Sequence, residues 1–232
     1  MKLHSVCTSL ITLSLLLVTA VADAANPSVG SVSRVTGDQV NAQTQGAPAR
    51  KLAVGDSVFA NERIHTGNAT VVQIEFKDKS RFTLGPNSEF EVEQYRQGSG
   101  DEAFHSRVFK GAFRFVSGLL GKNMRVHTPV VTVGVRGTHV EGEVTERQQK
   151  DGKTVDASAK VMLLEPEGSN KNTSIVAENK FGSVVIDKPG YGTVIPDEKS
   201  APSPVQRMQL RTLDNVQRSI RTPGQTGPMR RP

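Results

Sequence analysis

The chain has 232 residues, 36% of them hydrophobic and 22% charged, with a formal net charge of +6 at pH 7. The only cysteine is Cys7, inside an N-terminal apolar run, so intrachain disulfides, thiolate catalysis and cysteine-ligated metals are excluded together. Residues 25–198 carry 21 basic and 21 acidic side chains, whereas from Lys199 onward seven basic residues stand against Asp214 alone. The basicity belongs to the tail, and nucleic acid is not implied as a partner of the folded part.

Residues 1–24 read as a cleaved signal peptide. Met1-Lys2 gives the basic start, Leu10–Val18 the apolar stretch, and Ala22-Asp23-Ala24 the small-residue exit. The apolar stretch is well short of the ~20 residues needed to cross a bilayer, so no transmembrane segment is expected after its removal. The expected location is the bacterial periplasm or the exterior.

Residues 25–145 consist of short extended runs broken by Gly, Asn, Asp and Pro. In Val71–Phe76 the residues Val72, Ile74 and Phe76 share one face and Gln73 and Glu75 the other, the period of a half-buried strand. Lys77–Ser80 and Gly85–Ser88 are turns, and between and after them Phe82, Leu84, Phe90 and Val92 keep the alternation, with Glu89, Glu91 and Glu93 outward. Phe113 and Phe115 repeat it after Gly111. The clearest stretch is Met124–Val144. Val131, Val133 and Val135 alternate, then Val140 and Val144 continue on the other parity after Arg136-Gly137-Thr138. A strand cannot change faces without an added residue, so a bulge or sharp bend is expected at Gly137, with Pro129 marking where pairing starts.

Residues 146–198 supply a polar hairpin turn at Asp151-Gly152, a buried strand at Val161–Leu164, and two final strands, Val184–Ile186 and Thr193–Ile195, flanking the Lys188–Gly192 connection. They read as the closing strands of the same fold, the last two joined by a tight connection. Residues 199–232 begin with a stiff Ala201-Pro202-Ser203-Pro204 linker. A basic helix over Val205–Arg221 and a disordered end follow. The helix could dock on a partner or make weak contact with a membrane surface. The fold class is therefore all-β, short strands stacked as a sandwich or a β-solenoid, with a helical or disordered tail.

Several of these blocks resemble the FecR domain. His127-Thr128-Pro129 through Val135-Arg136-Gly137-Thr138 is similar to its closing signature. Gly55-Asp56 with Thr66, the hairpin with Gly85-Pro86, and the step at Gly111 occur in the family's order. The resemblance spans roughly residues 29–144. It implies an all-β envelope module of cell-surface signalling, in which a periplasmic segment senses a transporter and relays to a sigma factor. The chain departs from that pattern. It shows no anti-sigma segment before the domain, no internal span and no transporter-binding module after it, so direct control of a sigma factor is not carried over.

No catalytic constellation is present. The histidines His65, His105, His127 and His139 form no HExxH or HxH pattern, although His127 and His139 could approach across paired strands. Glu141 and Glu143 are expected on a solvated face. Gly55, Asp56, Thr66, Gly85, Pro86, Gly111, Pro129, Arg136, Gly137 and Thr138 are expected to be structural motif positions. Arg136 has two readings: a structural arginine tying down carbonyls at the bend, or a recognition arginine for a partner carboxylate. The expected function is a non-catalytic module without cofactor or metal that binds an envelope protein or senses a signal. The alternative is a structural protein that binds glycan or surface polymer.

Overall fold

The computed structural model describes residues 27–97, 103–118, 124–165, 173–210 and 213. The expected signal peptide lies outside them, as does most of the expected tail helix. In chain order the strands are β1 (Ser28–Thr36), β2 (Val40–Thr44), β3 (Arg50–Lys51), β4 (Ser57–Phe59), β5 (Glu62–Thr66), β6 (Val71–Phe76), β7 (Arg81–Leu84), β8 (Glu89–Arg96) and β9 (Ala103–Val116). They continue with β10 (Met124–His127), β11 (Thr132–Arg136), β12 (His139–Thr145), β13 (Gln148–Lys150), β14 (Lys153–Val155), β15 (Ser158–Leu164), β16 (Ser174–Asn179), β17 (Gly182–Ile186), β18 (Tyr191–Ile195) and β19 (Gln206–Arg207).

Pairing sorts these strands into two layers. The back layer runs β4-β1-β6-β7-β9-β12-β15-β18-β19. The front layer runs β3-β2-β5-β8-β9-β10-β11-β16-β17. All neighbours are antiparallel except β9 with β10. The hairpin β13–β14 stands apart, its turn at Asp151-Gly152 with φ of 51° and 72°, the left-handed pair that a tight hairpin requires.

One strand belongs to both layers, and its crossing point is dictated locally. The first part of β9 pairs with β8 and β10 in front, and from Gly111 onward it pairs with β12 behind. At the crossing the register skips Phe109, and Gly111 takes φ +99°, where a side chain would be strained. A Cβ there would also lie 2.0 Å from Ser88 Oγ. The expected bend at Gly137 does the same for the next pair. Gly137 has φ 60°, β11 lies in front and β12 behind, and Val133, Val135, Val140 and Val144 all remain buried.

The space between the layers is filled by aromatic rings contributed from both sides. Phe76 of the back layer meets Phe104 of the front edge-on, centroids 4.8 Å apart, and Phe82 meets Phe90 at 4.2 Å. Phe104 stacks on Phe115 at 5.1 Å. Each of these rings is fully buried, a contribution of about 1.5–3 kcal/mol apiece by transfer data. The alternation that predicted Val72, Ile74, Phe76, Phe82, Leu84, Phe90 and Val92 as inward holds at every one of them.

Two expectations are corrected. Val184–Ile186 and Thr193–Ile195 are strands, but they do not pair with each other: β17 closes the front layer on β16, and β18 joins the back layer on β15. The Lys188–Gly192 connection crosses between layers instead of making a hairpin. Gly190 N–H bonds Leu163 O in doing so. The expected helix does not begin at Val205. Gln206–Arg207 add as an edge strand to Tyr191–Gly192, and Met208 N–H bonds Gly190 O. An unpaired edge on β18 captures the backbone that follows Pro204, before helix can start. The segment then folds onto the outside of the back layer. Leu210 and Leu213 are buried, and Leu213 Cδ2 would be 3.1 Å from a Cβ placed on Gly85. The remainder of Val205–Arg221 lies outside the described residues.

Candidate functional site

Most of the motif residues singled out in the sequence converge on turns. Asp56 Oδ2 accepts the Ala53 N–H at 2.7 Å, and Gly55, with φ +95°, donates to Val32 O at 2.8 Å. Thr66 Oγ donates to Gly85 O at 2.6 Å and accepts the Ser88 N–H at 2.8 Å, while Gly85 N–H bonds Ala112 O. Thr66, Gly85, Pro86 and Gly111 thus meet around one turn where the two layers join. Pro129 lies in the β10–β11 turn, whose amides at Val130 and Val131 are held by Thr128 Oγ. Thr138 is buried at the bend, its carbonyl accepting from Ser117 N–H, and its hydroxyl has no partner among the described residues.

Asp78 and Ser80, expected in a plain polar turn, are fully buried. Asp78 Oδ1 accepts from Ser80 Oγ at 2.6 Å, and Tyr95 Oη accepts the Asp78 N–H at 2.8 Å. Burial and the Asp78 carboxylate push the Tyr95 phenol well above its ordinary value. Glu141, expected on a solvated face, is also buried and is clamped by Arg114, while Glu143 is partly exposed beside Lys160. The approach of Arg114 from β9 was not visible in the alternation of β12 alone.

Arg136 is exposed at the end of β11, and its guanidinium forms no hydrogen bond or ion pair among the described residues. It stands on the outer face of the front layer, whose side chains fall into rows across the strands. One row is His105, Arg125, Gly134, Val176 and Val185; the next is Arg107, His127, Thr132, Glu178 and Ser183. In the second row His127 bonds Thr132 Oγ and lies 3.8 Å from Glu93. His105, not His139, is its ring neighbour, at 6.0 Å. His139 lies on β12, in the back layer. Desolvation, the largest cause, lowers the His127 pKa below its ordinary value. Among the described residues no three His, Cys, Asp or Glu are placed to hold a metal ion.

The front layer ends at β17, which pairs only with β16 among the described strands and carries Val185, 60% exposed, while Phe181, 45% exposed, stands in the turn just before it. The other free edges are shorter: two residues in β3, three in β4 and two in β19. At the opposite end of the front layer an open cleft of about 750 Å³ is lined by Gln43, Gln45, Asn61, Arg63 and Glu91. Its guanidinium is committed: Arg63 bonds Glu89 and Glu91 and lies 4.0 Å from the Phe109 ring centroid.

Residues 62–160 match the family model described as FecR protein. Over those residues the chain is similar to the FecR family. That match begins at β5 and ends within β15, so it contains the crossing at Gly111, the bend at Gly137 and the Arg125–Gly134 row. Two crystal structures of a protein described as a candidate anti-sigma factor from Parabacteroides distasonis are similar in fold. They are 9% and 10% identical, with TM-scores of 0.47 and 0.48, a likeness that carries no conclusion about this chain. Each comparison covers 66% of this chain and 62% of that one, so the chain spans under two thirds of their length. No curated protein matches. Sequence reasoning missed the row through Gly134; an isolated glycine inside a valine alternation was its one available signal.

Proposed function

We propose that this FecR-like protein is an exported, non-catalytic envelope module that binds a protein partner in signal sensing. The observation that supports it most directly is the β17 edge. Natural sheets blunt exposed edges with charge, proline or brevity, and the other free edges here are two or three residues long. β17 instead presents five residues of backbone, with Val185 open to solvent on the strand and Phe181 open in the turn before it. Such an edge suits addition of an extended partner segment. The turn-forming motif positions, Gly55 through Thr138, hold the layers in place in this reading, and the signal peptide delivers the chain outside the cytoplasm. Among the described residues no helix is long and apolar enough to cross a membrane.

A photo-reactive residue at position 185 tests this in intact cells. A discrete protein adduct, absent when the probe stands at Val155 on the separate hairpin, is expected. Adducts of equal yield from both positions, or none, would overturn the reading. The second reading, binding of glycan or surface polymer, is favoured by the amide-lined cleft at Gln43 and Asn61, since such side chains suit sugar hydroxyls. Crosslinks to polymer from Gln45, with none to protein from position 185, would support it instead.

A further inference from the structure

We infer that the bay above Gly134 binds a partner's carboxylate side chain, presented by an extended segment with an apolar residue within three positions. The inference rests on the protein-binding reading above and names the chemistry of that partner.

Gly134 lies in the interior of β11 without a fold reason to be glycine. Its φ is not in the left-handed region, and a Cβ there would meet nothing closer than Val176 O at 3.9 Å. The glycines within other strands differ. A Cβ on Gly30 would lie 2.5 Å from Glu75 O, one on Gly142 2.4 Å from the Phe113 ring, and one on Gly192 2.2 Å from Val161 O. A strand-interior glycine weakens its strand, and where nothing in the fold demands it, the usual reason is close approach by another molecule.

The surroundings define what approaches. Arg125 is the register partner of Gly134 on β10, and Arg136 stands two residues along β11 on the same face, about 7 Å away by strand rise. Arg125 has one ion-pair partner, Glu178 at 3.9 Å, with both side chains about half exposed, a geometry of little energetic weight. Arg136 has none among the described residues. Two weakly committed guanidinium groups beside an empty side-chain position match a carboxylate, which a guanidinium can bind through two parallel hydrogen bonds. On the other side the same row continues to Val176 and Val185. From Gly134 to Val185 is two strand spacings, about 10 Å, the length of three extended residues. An acidic residue over Gly134 therefore places an apolar one over Val185.

The test is a titration of the isotope-labelled full chain, in its exported form, with the blocked tetrapeptide Val-Asp-Ser-Val and its Asn counterpart. Saturable amide shifts at Gly134, Arg136, Val176 and Val185 are expected with the Asp peptide. Binding should be at least tenfold weaker with the Asn peptide, with Arg136→Gln, and with Gly134→Leu, which fills the bay. Both variants should melt at the temperature of the parent; if Gly134→Leu does not fold, Arg136→Gln decides. Equal affinity for the Asp and Asn peptides, no binding of either, or shifts centred on the Gln43–Glu91 cleft would overturn the inference. In each of those cases a protein adduct from position 185 would leave the broader reading standing, and loss of that adduct would sink the reading itself.

Discussion

Arg114 donates from both Nε and Nη2 to one oxygen of Glu141, at 3.0 and 2.6 Å, across the β9–β12 pair, and the carboxylate is left 2% exposed. Charge this deeply buried is tolerated only while its partner remains. Arg114→Met should destabilise the protein by roughly 3 kcal/mol, since it removes the guanidinium that clamps a buried carboxylate, whereas the double change Arg114→Met with Glu141→Leu should recover most of that loss. Urea unfolding of the two singles and the double checks it. Equal stability of Arg114→Met and parent would show that the pair is dispensable.

Gly111→Ala should cost several times the ~1 kcal/mol of an ordinary glycine–alanine exchange. The new Cβ would need φ +99° and would collide with the Ser88 side chain. Thermal melting should show the drop, and Gly46→Ala, at a positive-φ glycine with open space around it, should show a smaller one.

Leu213→Ala should destabilise by about 2–4 kcal/mol, the range for emptying a buried leucine site. Leu213 is fully buried and packs near Gly85 and Ala112. A tail that merely trailed in solvent would tolerate the change without effect, so chemical denaturation discriminates directly.

His127 titrates below the ordinary histidine value in the folded protein, because burial disfavours its charged form. The unfolded chain therefore takes up the proton first. The stability associated with the neutral ring is fully present above about pH 6.5 and is lost as pH falls from there toward the lower folded value. Proton NMR of the ring should give a midpoint under 6.5, and His127→Gln should flatten the stability profile between pH 6.5 and the range where carboxylates protonate. A midpoint at or above 6.5 would contradict the burial argument.

Much of the fold was legible because valine and phenylalanine mark the inner face residue by residue, and the parity change around Gly137 is a local event. The alternation could not show which strands pair. Val184–Ile186 and Thr193–Ile195 flank a tight connection, yet the first pairs with the strand just before it, β16, in the front layer, and the second with the more distant β15 in the back layer. Burial of Glu141 escaped for a related reason: its clamp, Arg114, comes from β9, and nothing in β12 announces it. At the candidate site, Arg136 was visible as a charged residue at a bend. The vacancy at Gly134 gained meaning only when registers set Arg125 on one side of it and Val176 on the other.

The passage of β9 through both layers at Gly111 has a mechanical side. The same main chain is hydrogen-bonded to β8 in front and to β12 behind, so the two layers cannot slide past one another without breaking bonds on both. A pull on the front layer is then borne by covalent backbone across the seam. In single-molecule stretching, the layers should rupture together in one event instead of peeling apart in two.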